Sequence, residues 1–469
     1  MEEYNFDSFE EYRDSVNRYE EMLRNEENYF FDSQAFEGII DYYIEANEAV
    51  KALQVIEYAL SQHHFEGSFH LKKAQILLAL NNYEDALIAL KTAELLEPSE
   101  FEIILTKASI YSKLKNFDAA IAILNDALYT TEDENKIEVY FQLAALNQER
   151  NSFYQAIHYL ERILEMDKDN EDALIEIEEC YDNTGNFEKA IEFFKAYINT
   201  NPYSYLAWHI LGNTYHKIEK YELAIDAYDY VILINEDYEA AYYNKGNALV
   251  SLEKYAEAIE VYKKTFEYQT PSADTYCALG DCYERLNELE QAREYYKKAV
   301  KSFPFMGDAW LGIGSTLEQE GRNYEAVHYF KKAIRTNSKE EEYWYALANV
   351  RYKIGQLDLA EEAYQEVIAI NTDAVDAWLD YSSLLIEQNR VAEAISLIEN
   401  AILHNEESDE LYYRMVLYYF LDGSYELAIN YLEVALSLNP ENHYLIFESI
   451  PKLKDNVIIK EIIKKYIGE

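Results

Sequence analysis

The sequence predicts an all-α fold, a linear array of stacked helix-turn-helix hairpins, and three observations predict it. With 13 Gly and 6 Pro in 469 residues, the chain has too few turn formers for a sandwich, a barrel or a doubly wound sheet. A small residue recurs on a fixed ruler: Ala52, Ala86, Ala120, Ala156, Ala190, Ala224, Ala258, Ala292, Ala326, Ala360, Ala394 and Ala428 are 34 residues apart, except for one interval of 36 between Ala120 and Ala156. Other residue types keep the same phase, which a chance alanine periodicity does not produce. All four tryptophans (Trp208, Trp310, Trp344, Trp378) lie sixteen residues before one of these alanines, Gly212, Gly246, Gly280 and Gly314 twelve before, and Gly185, Gly321, Gly355 and Gly423 five before.

The first element precedes the array. Residues 1–32 carry 11 acids against 3 arginines. Ser8 and Glu11 are spaced as a capping box, and Phe9, Tyr12, Val16, Tyr19 and Leu23 make one helical stripe. An acidic amphipathic helix covering the end of the array is expected, because an open solenoid needs its terminal apolar face capped.

The array spans residues 33–442 as about twelve units. Within a unit, Trp208, Leu211, Gly212 and Tyr215 share one face of a first helix, and Ala224, Tyr228 and Val231 share one face of a second. A glycine between the two helices, as at Gly321 and Gly355, supplies the left-handed residue of a tight helical turn. Pro98, Pro202, Pro304 and Pro440 stop the second helix before the next unit begins. Gly212 and Ala224 are read as small so that two helices can approach closely.

These residues resemble the tetratricopeptide repeat. Trp208, Leu211, Gly212, Tyr215, Ala224 and Tyr228 stand where its signature has Trp, Leu, Gly, Tyr, Ala and an aromatic, and Tyr276, Leu279, Gly280, Tyr283, Ala292, Tyr296, Ala299 and Pro304 repeat the match. The first units depart from it, with Phe36, Ile39 and Ile40 at the Trp, Leu and Gly slots and Lys73 at the next Leu slot. The resemblance implies a right-handed superhelical solenoid whose first helices line a concave groove, and it implies a binder of peptides or proteins.

Residues 443–469 follow, with a break at Pro451 and an apolar run from Val457 to Tyr466. From Lys452 onward there are 5 lysines and 3 acids in a chain whose formal charge is −47. A locally basic C-terminal helical cap is expected. Overall acidity argues against a nucleic-acid surface. Cys180, Cys277 and Cys282 form no disulfide framework, the N-terminus has no signal-peptide pattern, and no apolar run is long enough to span a bilayer, so a cytoplasmic location is expected.

No catalytic or metal-binding constellation stands above background. Gly312-Ile313-Gly314 is the nearest approach to a phosphate loop, yet it falls inside a predicted first helix. His63, His64 and His70 cluster without a cysteine pair. Cys180 and Cys282 share a packing slot, and Cys277 is expected to face the groove with no histidine beside it. No cofactor, metal or catalytic residue is assigned.

The groove remains. Eight of its acids, Glu102, Glu138, Asp172, Asp274, Asp308, Glu342, Asp376 and Glu410, stand at the starts of first helices, where a carboxylate is stabilised locally. Two clusters rise above that background. Glu176, Glu179 and Asp182 gather on one first helix, while His209, Asn213, Tyr243, Asn244, Asn247 and Asp281 run across three successive ones. Amides bond an extended backbone and a tyrosine offers an apolar platform, so the second run is the candidate peptide groove. Some members of the family clamp a C-terminal carboxylate there with lysine and arginine. The matching positions here, His209, Asn213, Asn244, Asp274 and Ala278, lack those cations, which excludes that mode. The expected function is a non-enzymatic interaction scaffold or adaptor binding a neutral or basic segment. The alternatives are a self-assembler stacking through its terminal helices, or a regulatory subunit of an enzyme complex.

Overall fold

The structure, a computed structural model, describes residues 13–268 and 270–467, and among them the only regular secondary structure is helical. Residues Ser8, Phe9, Glu11 and Tyr12 of the expected N-terminal helix lie outside the described residues. The chain divides between Lys220 and Tyr221 into two compact units. The first holds helix Arg13–Asn25, five hairpins from Ser33–Glu45 to Phe187–Thr200, and helix Tyr205–Lys217. The second begins with helix Tyr221–Ile234, continues through six hairpins from Glu239–Ser251 to Tyr425–Leu438, and adds helices Tyr444–Ser449 and Val457–Ile467.

Each repeat alanine sits in a second helix and is at most 2% exposed. The turn before it is the same throughout. Twelve residues in repeat register, from Asn47 to Gly423, adopt φ between 57° and 85°. Glycine occupies only four of these left-handed positions, Gly185, Gly321, Gly355 and Gly423. Asparagine takes five, and Lys115, Glu219 and Glu253 take the rest. In the Glu253 turn, the N–H groups of Glu253 and Lys254 donate to the carbonyls of Val250 and Leu249, both at 2.9 Å, closing a Schellman motif. The backbone bonds carry the turn, so a tolerant residue suffices where glycine is absent.

The tryptophans are clamps. The indoles of Trp310, Trp344 and Trp378 donate to the carbonyls of Pro304, Ser338 and Thr372, at 2.9, 3.1 and 2.9 Å, tying each first helix to the loop before it. The glycines in the first helices have a more specific reason than close helix approach. A Cβ on Gly246, Gly280 or Gly314 would lie 2.3, 2.6 or 2.4 Å from the ring of Tyr262, Tyr296 or Phe330, the aromatic four residues after the alanine of the same unit. Gly312 makes the same room for Tyr296 of the preceding hairpin, at 2.4 Å, so the Gly-x-Gly in helix Gly307–Gln319 is a cradle for two rings.

The 36-residue interval is absorbed at a helix start. Helix Asp133–Glu149 has 17 residues against 13 or 14 in the other first helices, which places Glu138 more than a turn inside it rather than at its beginning. Phe36, Ile39 and Ile40 are fully buried, so the divergent first unit keeps the register. Helix Arg13–Asn25 buries Val16, Tyr19 and Met22 against Phe31 and Phe36, while Leu23 remains 53% exposed. In the second unit Ile446, Ile459 and Ile463 join the core of the last hairpin. There, successive first helices touch one another as well as their partner helices, and second helices stand further apart, so the first helices form the inner layer and the second helices the outer one.

Candidate functional site

In the first unit, helix Glu171–Thr184 carries Glu176, Glu179 and Asp182 one turn apart on one face. Lys217 neutralises part of this cluster, with Nζ 2.5 Å from Asp182 and 3.4 Å from Glu178. Glu176 is half-buried and accepts from Gln148 at 3.4 Å; burial raises its pKa. Glu179 is exposed. His209, on helix Tyr205–Lys217, is 9% exposed, and burial lowers its pKa to about 4, so the imidazole is neutral at physiological pH. Asn213 lies beside Glu178, whose pKa burial raises and whose ionised form Lys217 and Asn213 favour.

In the second unit, Tyr243, Asn244 and Asn247 share helix Glu239–Ser251, and Asp281 follows on helix Ala273–Arg285. The Tyr262 hydroxyl donates to Asn247 at 2.6 Å, and the rings of Tyr243 and Tyr262 lie 5.8 Å apart. The Tyr296 hydroxyl lies 2.7 Å from both the Asp281 and the Glu284 carboxylates, and Tyr364 donates to Asn349 at 2.6 Å. A common geometry underlies the three. The aromatic of the second helix passes over the small residue of the first, and its hydroxyl emerges beside the next residue, which must accept a hydrogen bond. The amides and the carboxylate at this position are therefore half committed to the hairpin. Asp281 is accessible from the groove, yet the walls crowd it, and lost hydration raises its pKa with Asp308 adding to the effect and the Tyr296 bond opposing it.

Cys277 is 8% exposed, and burial, with the carboxylates of Asp281 and Asp308 adding to the effect, pushes its thiol far up. Cys180 and Cys282 are each 1% exposed in the packing slot. His63 donates from Nε2 to the Phe31 carbonyl at 2.8 Å and meets the rings of Phe30, Phe36 and Phe69 in tilted and edge-on contacts. Among the described residues no group of His, Cys, Asp and Glu is arranged to hold a metal.

The sequence reading missed a recess of about 510 Å³ on the inner layer of the second unit, between helices Gly307–Gln319, Glu341–Lys353 and Val375–Glu387. Small residues, Ser315, Ala346 and Ser383, leave the space, and Tyr345, Asn349 and Tyr352 form its wall at i, i+4 and i+7. Tyr345 donates to Asp380 at 2.7 Å, and Tyr352 donates to Glu387. Lys353 is paired with Glu318 at 2.5 Å. Glu342 has no cation beside it; burial raises its pKa, with Asp308, Glu340 and Glu341 adding to the effect. The i, i+4, i+7 spacing of Tyr345, Asn349 and Tyr352 is the signal that the sequence carries for it.

Residues 237–304 match one tetratricopeptide-repeat family description, and residues 277–342, 345–410 and 382–443 match a second. Residues 149–231 match the anaphase-promoting complex, cyclosome, subunit 3 family, and residues 14–149 match the ChAPs family of Chs5p-Arf1p-binding proteins. No curated protein matches the chain. Among solved structures it is similar to the C-terminal part of a TPR repeat-containing protein from Cytophaga hutchinsonii, at 17% identity over 51% of this chain and 98% of that one, with a TM-score of 0.42. A chain of the APC/C hetero-tetramer Cut9–Hcn1 is 14% identical over 84% of this chain and 90% of its own, with a TM-score of 0.41. YrrB, described as a TPR protein with an unusual peptide-binding site, is 23% identical over 39% of this chain and 95% of its own, with a TM-score of 0.33.

Proposed function

Because this chain is a tetratricopeptide-repeat protein, we propose that it acts as a non-enzymatic scaffold that holds an extended segment of a protein partner on the inner layer of its second unit. The observation that carries the reading is the open recess walled by Tyr345, Asn349 and Tyr352, with Glu342, Asp380 and Glu387 around it and its one lysine already paired. Such a site favours a neutral or basic segment, whose backbone bonds the amide and phenol groups and whose cations meet carboxylates lacking a cationic partner. Tyr243, Asn244, Asn247 and Asp281 extend the same inner layer towards lower residue numbers, and His209 and Asn213, with the acidic cluster Glu176, Glu179 and Asp182, offer a separate surface in the first unit.

Three buried free cysteines fit a reducing, cytoplasmic setting, and among the described residues no helix is long and apolar enough to cross a membrane. The test uses a partner captured from native extract. Tyr345→Ala with Asp380→Asn lowers affinity at least tenfold if the recess is the site. Unchanged affinity, together with a large loss on charge reversal at Glu176 and Glu179, moves the site to the first unit.

A further inference from the structure

Three consecutive outer helices of the second unit reverse the sign of the chain. Helices Tyr255–Tyr268, Leu289–Ser302 and Asn323–Thr336 carry 9 of the 41 Lys and Arg residues, against 6 acids, a net of +3 in a chain of −47. The bases come in register: Lys263-Lys264, Lys297-Lys298 and Lys331-Lys332 are spaced by the repeat, and Lys301 and Arg335 follow one turn later on two of these helices. On the last two helices the second lysine of each pair lies over an aromatic ring, Lys298 at 4.3 Å from the Tyr295 centroid and Lys332 at 4.1 Å from that of Trp310. The first lysine of each pair, Lys297 and Lys331, is exposed, as are Lys301 and Arg335. Among the described residues none of these four exposed cations is paired with a carboxylate, whereas Lys264 and Lys298 have Glu267 and Glu294 at 2.9 and 3.3 Å. Beside Lys301 the loop exposes two aromatics, Phe303 at 50% and Phe305 at 72%, with ring centroids 6.1 Å apart.

We propose that this outer face, centred on Lys297, Lys301, Lys331, Arg335 and Phe305, docks an extended acidic segment of a protein partner that also carries apolar side chains. Four unpaired cations on two consecutive outer helices supply the charge complement, and the phenylalanine pair supplies apolar surface at its edge. The occupant is a short segment because of what surrounds the patch. Exposed charges act over about 8 Å at physiological ionic strength, so a segment confined to the patch feels the cations, while a long polyanion or a flat anionic bilayer also meets the acidic remainder of the chain. The face is independent of the inner-layer recess, and a scaffold with both would hold a neutral or basic segment on one side and an acidic one on the other.

The test is fluorescence anisotropy of the full chain with a fluorescein-labelled peptide of alternating Glu and Phe residues in 150 mM salt. Saturable binding is expected, weakened at least tenfold by Lys297→Glu with Lys331→Glu, reduced by Phe305→Ser, and unchanged by Tyr345→Ala with Asp380→Asn. The substituted lysines are exposed, and circular dichroism checks that the fold is kept. Absence of saturable binding overturns the proposal, as does equal binding by the charge-reversed variant. Tighter binding of phosphatidylserine vesicles or a single-stranded oligonucleotide than of the peptide, lost in that same variant, also overturns it and assigns the patch to another class of anion.

Discussion

Gly314→Ala sets two effects of opposite sign against each other, and the structure decides between them. Gly314 lies inside helix Gly307–Gln319, where replacing glycine by alanine ordinarily stabilises by about 1 kcal/mol. Here the added Cβ would stand 2.4 and 2.5 Å from two ring carbons of Phe330, a residue with no exposed surface. The ring has no free space to yield into, and overpacking of this kind costs ~1–3 kcal/mol. The expected net effect is destabilisation of this hairpin. Replacing the ring first reverses the sign: in a Phe330→Leu background, Gly314→Ala is neutral or stabilising, so the two changes couple by more than about 1 kcal/mol. Because the stability of a repeat array is a sum of local and neighbour terms, the assay is hydrogen exchange of helices Gly307–Gln319 and Asn323–Thr336 rather than one global melt. Slower exchange in the single variant, or additive effects in the double one, refutes the account of why the glycines keep the repeat phase.

Three further outcomes follow from the same geometry. Glu253 holds φ at 58° with no glycine freedom, so Glu253→Gly relieves left-handed strain of about 1–2 kcal/mol while losing part of that to backbone entropy, and slower exchange of the flanking helices is expected. The carboxyl of Asp281 has a raised pKa in the folded chain, so its ionisation disfavours folding: the contribution is favourable below the unfolded carboxyl pKa and is lost as pH rises through the folded value. Asp281→Asn keeps an acceptor for Tyr296 and removes the charge, so stability rises at pH 7 and not at pH 3, as read by denaturant unfolding at both. Removing residues 456–469 uncovers Leu432 and Leu436, which now lie buried beside Ile459 and Ile463, and faster exchange is expected across helix Tyr425–Leu438.

The repeat count, the two helices per unit and the alanine slot were legible because they depend on spacing alone. Twelve alanines in phase define twelve second helices whatever else the sequence contains. Trp310, Trp344 and Trp378 announced the first helices, although their bonds to the preceding loop carbonyls are visible only in three dimensions. The turns were legible where glycine marks them and silent at Lys115, Glu219 and Glu253, since the Schellman bonds that hold them run between backbone atoms. Asn247 and Asp281 read as free groove groups because nothing in a linear pattern says that Tyr262 and Tyr296 reach across the hairpin to them. The recess around Tyr345 was invisible for a related reason: it is made by what Ser315, Ala346 and Ser383 leave unfilled, and their small volumes signal space only once three helices are placed side by side.

The inner-layer claim is tested most directly by hydrogen exchange of the full chain with and without its captured partner. The account predicts new protection on helices Glu341–Lys353 and Val375–Glu387, strongest around Tyr345, Asn349 and Asp380, and loss of that protection in Tyr345→Ala with Asp380→Asn. Protection confined to outer-layer second helices, with the inner layer of the second unit exchanging as in the free chain, contradicts it.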